Sequence, residues 1–264
     1  MLSASPVVTR FAPAPTGYLH LGHVLNAIHV WEFARACGPD ARVLLRIEDH
    51  DRSRCRPEFE AALLEDLSWL GFAADGAPIR QSERGAEYER ALADLRSRGF
   101  TYVCECSRTD VGGGQYPGTC REKNLSESPG RGIRVKMDAT VERFDDLRLG
   151  PQEQRPSEQC GDMLVRDRHG NWTYQFGVVV DDWQQGINTV IRGKDLLEST
   201  GRQIQLARLL GRVHPPAFLH HPLIMKTATQ KLSKSDGDSG VRELRAAGWS
   251  AEAVIDRARH GRKF

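Results

Sequence analysis

An α/β fold with a parallel sheet, a β-rich insertion and a short helical end is what this 264-residue chain predicts. Three observations carry that expectation. Short β-branched runs alternate with stretches free of proline and glycine through the first hundred residues. The texture then turns rich in cysteine, glycine and strand formers. Finally "NTVIRG" brings back a buried strand before more helix.

"VVTRFAP" (7–13) is a β-branched run stopped by proline, a strand entering a loop. From Gly22 to Cys37 nothing breaks a helix, and Gly38-Pro39 ends it. "ARVLLRIED" is a second buried strand ending in Arg46, Glu48 and Asp49. Pro57 suits the first turn of a helix with Phe59, Leu63, Leu67 and Leu70 on one face. A further helix carries Tyr88, Leu92 and Leu95 and stops at Gly99. Strand–helix–strand–helix order calls for a parallel sheet with crossover helices. In the insertion, "GIRVKM" and "DMLVRDRHGNWTYQFGVVV" read as strands, with a turn at His169-Gly170-Asn171 and "FGVVV" as a buried strand. Asp195 is positioned to cap a helix bearing Leu196, Leu197, Thr200, Ile204 and Ala207 on its inner side. "HHPLIMK" supplies one more strand, and two short helices separated by Gly248 close the chain.

Hydrophobic content of 39% and charged content of 27% fit a soluble globular protein, and no apolar run approaches membrane-spanning length. A net charge of +2 announces no global basic field, although 241–264 holds six Lys/Arg against three Asp/Glu. The N-terminus lacks a signal-peptide pattern, so we expect a cytoplasmic protein whose cysteines are thiols or metal ligands.

Two stretches carry chemistry. In "PAPTGYLHLGH" (13–23), His20 and His23 flank Leu21-Gly22 at the start of the first long helix. Alone, the stretch reads as a metal site, a phosphate cradle at a helix N-terminus, or a plain helix start. "QKLSKSDGDSG" (230–240) sets Lys231 and Lys234 among serines and glycines, as a segment that closes over a polyphosphate would. The cluster "CECSRTDVGGGQYPGTC" brings Cys104, Cys106 and Cys120 together, and three thiols in a reducing compartment favour zinc. Cys160 is a candidate fourth ligand; Cys37 and Cys55 are read as non-functional.

H-L-G-H after a first strand and K-L-S-K-S after the last one resemble the paired signatures of class I aminoacyl-tRNA synthetases. "RFAPAPTGYLHLGH", "LLRIED" and "TVIRGKDLLESTGRQ" are similar to the glutamate branch of that class. The resemblance implies a Rossmann-like catalytic domain at 1–99 and 181–228, split by a zinc-containing, acceptor-binding-like insertion at 100–180 and followed by the K-L-S-K-S loop and a helical end at 229–264. It implies ATP bound by His20, Gly22, His23 and Lys234, with His20, His23, Lys231 and Lys234 acting on the phosphates and Mg2+ bridging them. Glutamate would lie against Arg10, Glu48, Tyr174, Arg192 and the backbone of Arg10, Phe11, Ala12, Pro13 and Ala14. Chemistry agrees: forked guanidinium donors suit the two carboxylates, and Glu48 suits the ammonium. Ala14 departs from the serine that relatives commonly carry.

A C-x-C…Y-x-x-x-C zinc knuckle in the glutamyl-Q branch, the short paralogues of glutamyl-tRNA synthetases, implies Tyr116 as the fourth ligand beside Cys104, Cys106 and Cys120. Only 29 residues follow Ser235, too few for a helical anticodon-reading domain. The resemblance therefore implies a monomer that activates glutamate with ATP and transfers it to queuosine in tRNA(Asp).

Overall fold

The computed structural model describes residues 5–50, 54–224 and 240–260. It comprises two compact units: Met1–Ser82 with Ile187–Leu196 and Ala217–Phe264, and Glu83–Gly186 with Leu197–Pro216.

The first unit opens with β1 (Val8–Phe11), the crossover helix α1 (Leu21–Ala36) and β2 (Arg42–Ile47). β1 and β2 pair in parallel, Val8 opposite Arg42 and Phe11 opposite Leu45, as the run of apolar residues in each requires. α1 buries Val24, Ile28, Val30, Trp31 and Ala34 and ends before Gly38, whose φ of +107° suits the residue just past a helix. α2 (Pro57–Trp69) has its proline in the first turn, and β3 (Ile79–Arg80) extends the sheet in parallel beside β2.

The second unit begins with α3 (Gly85–Ser97), β4 (Thr101–Cys104) and α4 (Arg108–Val111), followed by β5 (Gly132–Val135), β6 (Glu142–Asp146) and β7 (Gly150–Gln154). α5 (Pro156–Gln159), β8 (Met163–Arg166) and α6 (Tyr174–Gln184) follow. β4, β5 and β8 make an antiparallel sheet, and β6 and β7 a hairpin. "FGVVV" therefore lies in a helix and not in a strand. Every residue from Phe176 to Asp182 is buried, so no polar face betrays a helical period. The helix is fastened where its sequence turns acidic: Asp181 accepts hydrogen bonds from Arg84 Nε at 2.5 Å and Tyr88 Oη at 2.8 Å, both from the α3 side. Burial overrides the weak helix propensity of three consecutive valines.

The chain returns to the first unit as β9 (Thr189–Gly193), passes through a 3-10 run (Lys194–Ser199) and enters α7 (Thr200–Leu209) of the second. Asp195 is thus not a helix cap; the position before α7 is Ser199, and the extra turn is tighter than the α-helix expected. β10 (Ala217–His221) pairs in parallel with β9. The last strand thus starts earlier than "HHPLIMK" suggested and is over by Pro222, which has no N–H to extend a ladder. α8 (Val241–Ala246) and α9 (Ala251–His260) close the first unit, where Val241, Leu244, Val254 and Ala258 join the core under α1. No described helix is long and apolar enough to cross a membrane.

One core residue works against the fold. Asp66 in α2 is 1% exposed and its Oδ2 has no hydrogen-bond partner. Burial, with Glu65 adding to it and Arg242 and Arg245 opposing it, pushes its carboxyl up to about 6. A native carboxyl raised above its unfolded value holds its proton more tightly, so stability falls as pH rises from about 4 to about 6 and stays low above. Asp66→Asn is expected to stabilise the protein at pH 7.5 by on the order of 1–3 kcal/mol, seen as a higher thermal midpoint, and to change stability little at pH 4. Melting curves of both proteins at the two pH values check this.

Candidate functional site

The turn before α1 is built from its two histidines. His20 takes the cap position with extended backbone (φ −120°, ψ 171°), and its Nδ1 accepts the Gly22 N–H at 3.0 Å. In return His23 Nδ1 accepts the His20 N–H at 3.1 Å, and the ring centroids are 3.8 Å apart. This is a capping box made of imidazoles in place of the usual Ser/Thr and Glu. Since both Nδ1 atoms accept, a neutral ring at either position carries its proton on Nε2. Gly22 is required: a Cβ there would stand 2.8 Å from His20 Cε1. The arrangement leaves both imidazoles at a helix N-terminus with their tautomers set, which suits an anion and does not suit a metal gripped through Nδ1. The chain on the far side of the 225–239 stretch is fastened to the same turn. Gly240 bridges to His20 and Val241 N donates to Leu19 O at 2.8 Å. Lys231 and Lys234 lie outside the described residues.

Three charged side chains stand at the C-terminal ends of the parallel strands of this unit, where open α/β sheets bind ligands. Arg10 in β1 and Arg192 in β9 are each 4% exposed, and Glu48 just after β2 is 6% exposed. Asn188, before β9, donates from its backbone N–H to Val8 O at 3.0 Å, and its side chain accepts the Val8 N–H. That pair of bonds sets β9 beside β1. Glu48 N donates to Pro13 O at 3.0 Å, so the loop Arg10–Ala14 runs directly past Glu48; Thr16 N closes a turn on Ala14 O. Phe11 and Pro13 are buried, and Ala12 and Ala14 half-buried. The supporting roles of two residues, Arg46 and His220, escaped the sequence reading, which placed Arg46 only at the end of a strand. Arg46, fully enclosed, donates from Nη2 to Glu48 Oε1 at 3.3 Å. His220, also fully enclosed, accepts from Arg192 Nε at 3.1 Å. Tyr174 is the first residue of α6 in the second unit and is half-buried.

The second unit holds the cysteine cluster. The Sγ atoms of Cys104, Cys106 and Cys120 lie within 4.8 Å of one another, the one such convergence of three or more potential ligands among the described residues. Tetrahedral thiolates at ~2.3 Å from zinc stand about 3.8 Å apart, so the spacing fits. Tyr116 Oη is 3.4 Å from Cys104 Sγ and 3.9 Å from Cys106 Sγ, the right place for a fourth donor. Cys160 contributes differently: its carbonyl accepts the Tyr116 N–H at 3.0 Å, while its thiol donates to Pro156 O. Burial first, then the contact with Cys120, pushes the Cys106 thiol up to about 11. Burial and the Cys104 hydrogen bond likewise raise the Tyr116 hydroxyl. Burial opposes ionisation at Cys120 too, but the Glu105 amide, Tyr116 and the neighbouring thiols together lower it. A divalent cation would be bound by the deprotonated forms, so its arrival would release protons. Sequence reasoning missed Arg134. It is 8% exposed, donates from Nε to Cys104 Sγ at 3.3 Å and covers the Tyr116 ring at 3.6 Å. A guanidinium between a thiolate and a phenolate would offset the excess negative charge of such a centre.

The family model described as tRNA synthetases class I (E and Q), catalytic domain, matches residues 6–114 and 118–260. A protein of Rhodobacter capsulatus named glutamyl-Q tRNA(Asp) synthetase is 41% identical, over 92% of this chain and 96% of its own. A protein of Chelativorans sp. named glutamate–tRNA ligase 2 is 38% identical over 96% of this chain, but this chain spans only 55% of it. Among solved structures, a glutamate tRNA ligase from Elizabethkingia meningosepticum in complex with its amino acid superposes with a TM-score of 0.82 at 28% identity. That match covers 97% of this chain and 60% of the ligase.

Gly161 tests how tightly the cluster is built. Its φ is +65°, and a Cβ there would fall 2.1 Å from Tyr116 O. Gly112 has the same φ with nothing within 4 Å. Gly112→Ala is expected to cost about 1 kcal/mol, and Gly161→Ala more than ~2 kcal/mol because backbone must also move. Denaturant unfolding of the two variants measures the difference.

Proposed function

This chain belongs to the family of class I glutamyl- and glutaminyl-tRNA synthetase catalytic domains, and we propose that it activates L-glutamate with ATP and transfers it to queuosine in tRNA(Asp). The observation that carries glutamate activation is the set of buried charges at the strand ends, Arg10, Glu48 and Arg192, beside a helix N-terminus capped by His20 and His23. Two arginines match the two carboxylates of glutamate, and Glu48 matches its ammonium. Phe11, Ala12, Pro13 and Ala14 supply the wall of the amino-acid site. His20 and His23, with Gly22 allowing close approach, bind the ATP phosphates, which carry Mg2+. Lys231 and Lys234 neutralise charge that builds on them in the transition state.

In the first step an α-carboxylate oxygen of glutamate attacks the α-phosphorus of ATP. The bond to the β-phosphate oxygen breaks, leaving glutamyl-adenylate and pyrophosphate. The arginines and Glu48 hold the carboxylate in line, so much of the rate comes from orientation. In the second step a hydroxyl of queuosine attacks the glutamyl carbonyl, AMP departs, and the hydroxyl proton leaves with it. No protein nucleophile enters either step. Zn2+ held by Cys104, Cys106, Tyr116 and Cys120 would brace the second unit and take no part in the chemistry. The protein acts as a monomer in the cytoplasm.

The acceptor rests on the names of the full-length relatives. The relative named glutamate–tRNA ligase supports a second reading, in which the same activation chemistry serves an ordinary tRNA 3′ end. Labelled glutamate, ATP and tRNA(Asp) with or without queuosine separate the two. We expect labelling only of the queuosine-containing tRNA; equal labelling of both would overturn the acceptor assignment. For the metal, Cys120→Ser is expected to reduce bound zinc from about one per chain to well below half, measured by atomic absorption after dialysis. Glutamate-dependent activation should persist in the folded fraction.

A further inference from the structure

We propose that His220 is a positioning residue for the amino-acid substrate, holding the Arg192 guanidinium in the orientation that receives a carboxylate. The inference rests on the reading of Arg192 as a glutamate contact. Arg192 and His220 are direct partners in the parallel register of β9 and β10, so both side chains rise from the same face of the pair. Arg192 Nε donates to His220 Nε2 at 3.1 Å, with both residues buried. For Nε2 to accept, His220 must be neutral with its proton on Nδ1.

The choice of atom matters. A carboxylate gripped end-on uses Nη1 and Nη2 of an arginine, and Nε is the donor such a grip does not use. By taking Nε, the imidazole fixes the guanidinium plane without competing for the carboxylate. Phe218, two residues earlier on the same face, adds a second restraint. The guanidinium carbon stands 5.6 Å from its ring centroid, and the ring lies 12° from parallel with that of His220. An arginine ordered before the substrate arrives loses less freedom on binding, so its supports should show in the affinity for glutamate and not in that for ATP.

The test is steady-state kinetics of glutamate activation, with zinc content and melting temperature recorded for each variant. His220→Leu is expected to raise the KM for glutamate about tenfold or more, the size of one hydrogen bond to a charged group, with the KM for ATP unchanged. His220→Gln, whose amide oxygen can accept from Nε, should recover most of that loss. An unchanged glutamate KM in His220→Leu would overturn the proposal. So would KM values for glutamate and ATP that rise together in both variants with matching losses of melting temperature, the mark of a merely structural role. If His220→Leu does not fold, His220→Asn, polar but shorter in reach, takes its place with the same expectation. Arg192→Lys separates the two levels. A glutamate KM unmoved by it removes the reading of Arg192, and the inference falls with that. A large rise there alongside a normal His220→Leu overturns the positioning role alone.

Discussion

The N-terminus of α1 begins on imidazoles, and that reciprocal pair of hydrogen bonds is what the rest of the first unit is arranged around. A serine or aspartate at the cap would satisfy the same backbone N–H groups. Two histidines do so while standing polar rings at the positive end of a sixteen-residue helix. Each ring spends Nδ1 on the backbone, so its orientation and tautomer are decided by the fold. Gly22 pays the steric cost by having no side chain to collide with His20. The bridge from His20 to Gly240 and the bond from Val241 to Leu19 then tie the C-terminal helices to the same turn, only six residues after Lys234. The chain at Gly240 and Val241 thereby meets the turn at Leu19 and His20, two hundred residues earlier in the sequence.

Around that turn, charge is buried where the strands end. Buried charges are costly unless each is hydrogen-bonded, so the supports matter as much as the charges. Arg46 holds Glu48 from within the core, and His220 holds Arg192. Pro13 receives the Glu48 amide and brings the first loop alongside. The second unit repeats the pattern in softer chemistry: thiols and a phenol converge under a guanidinium that contacts both. In both units a side chain is held by a buried neighbour: Glu48 by Arg46, Arg192 by His220 and Cys104 by Arg134.

Much of this was legible in the sequence, for identifiable reasons. β1, α1, β2 and α2 carry strong local signals, with breakers at Pro13, Gly38 and Pro57. The cluster of Cys104, Cys106 and Cys120 was visible because thiols are rare and closely spaced. The failures share a cause, which is tertiary burial overriding local preference. Phe176–Val180 reads as a strand because β-branched residues favour strands, yet full enclosure and the Asp181 bonds to Arg84 and Tyr88 make it helix. The end of β10 was misplaced because the apolar run continues past Pro222, which stops the ladder. The supporting roles of Arg46, Arg134 and His220 were invisible for another reason. A supporting residue has no motif of its own, and only the fold brings it to the group it holds.

In the function proposed above, buried charges at the strand ends and a histidine-capped helix make a site that activates glutamate. Exchange of labelled pyrophosphate into ATP reports that step alone, whatever the acceptor. Exchange is expected to depend on glutamate, to be far weaker with aspartate or glutamine, and to be lost when Arg10 or Arg192 is replaced. Absence of glutamate-dependent exchange by the folded protein, both with and without tRNA(Asp), would contradict it.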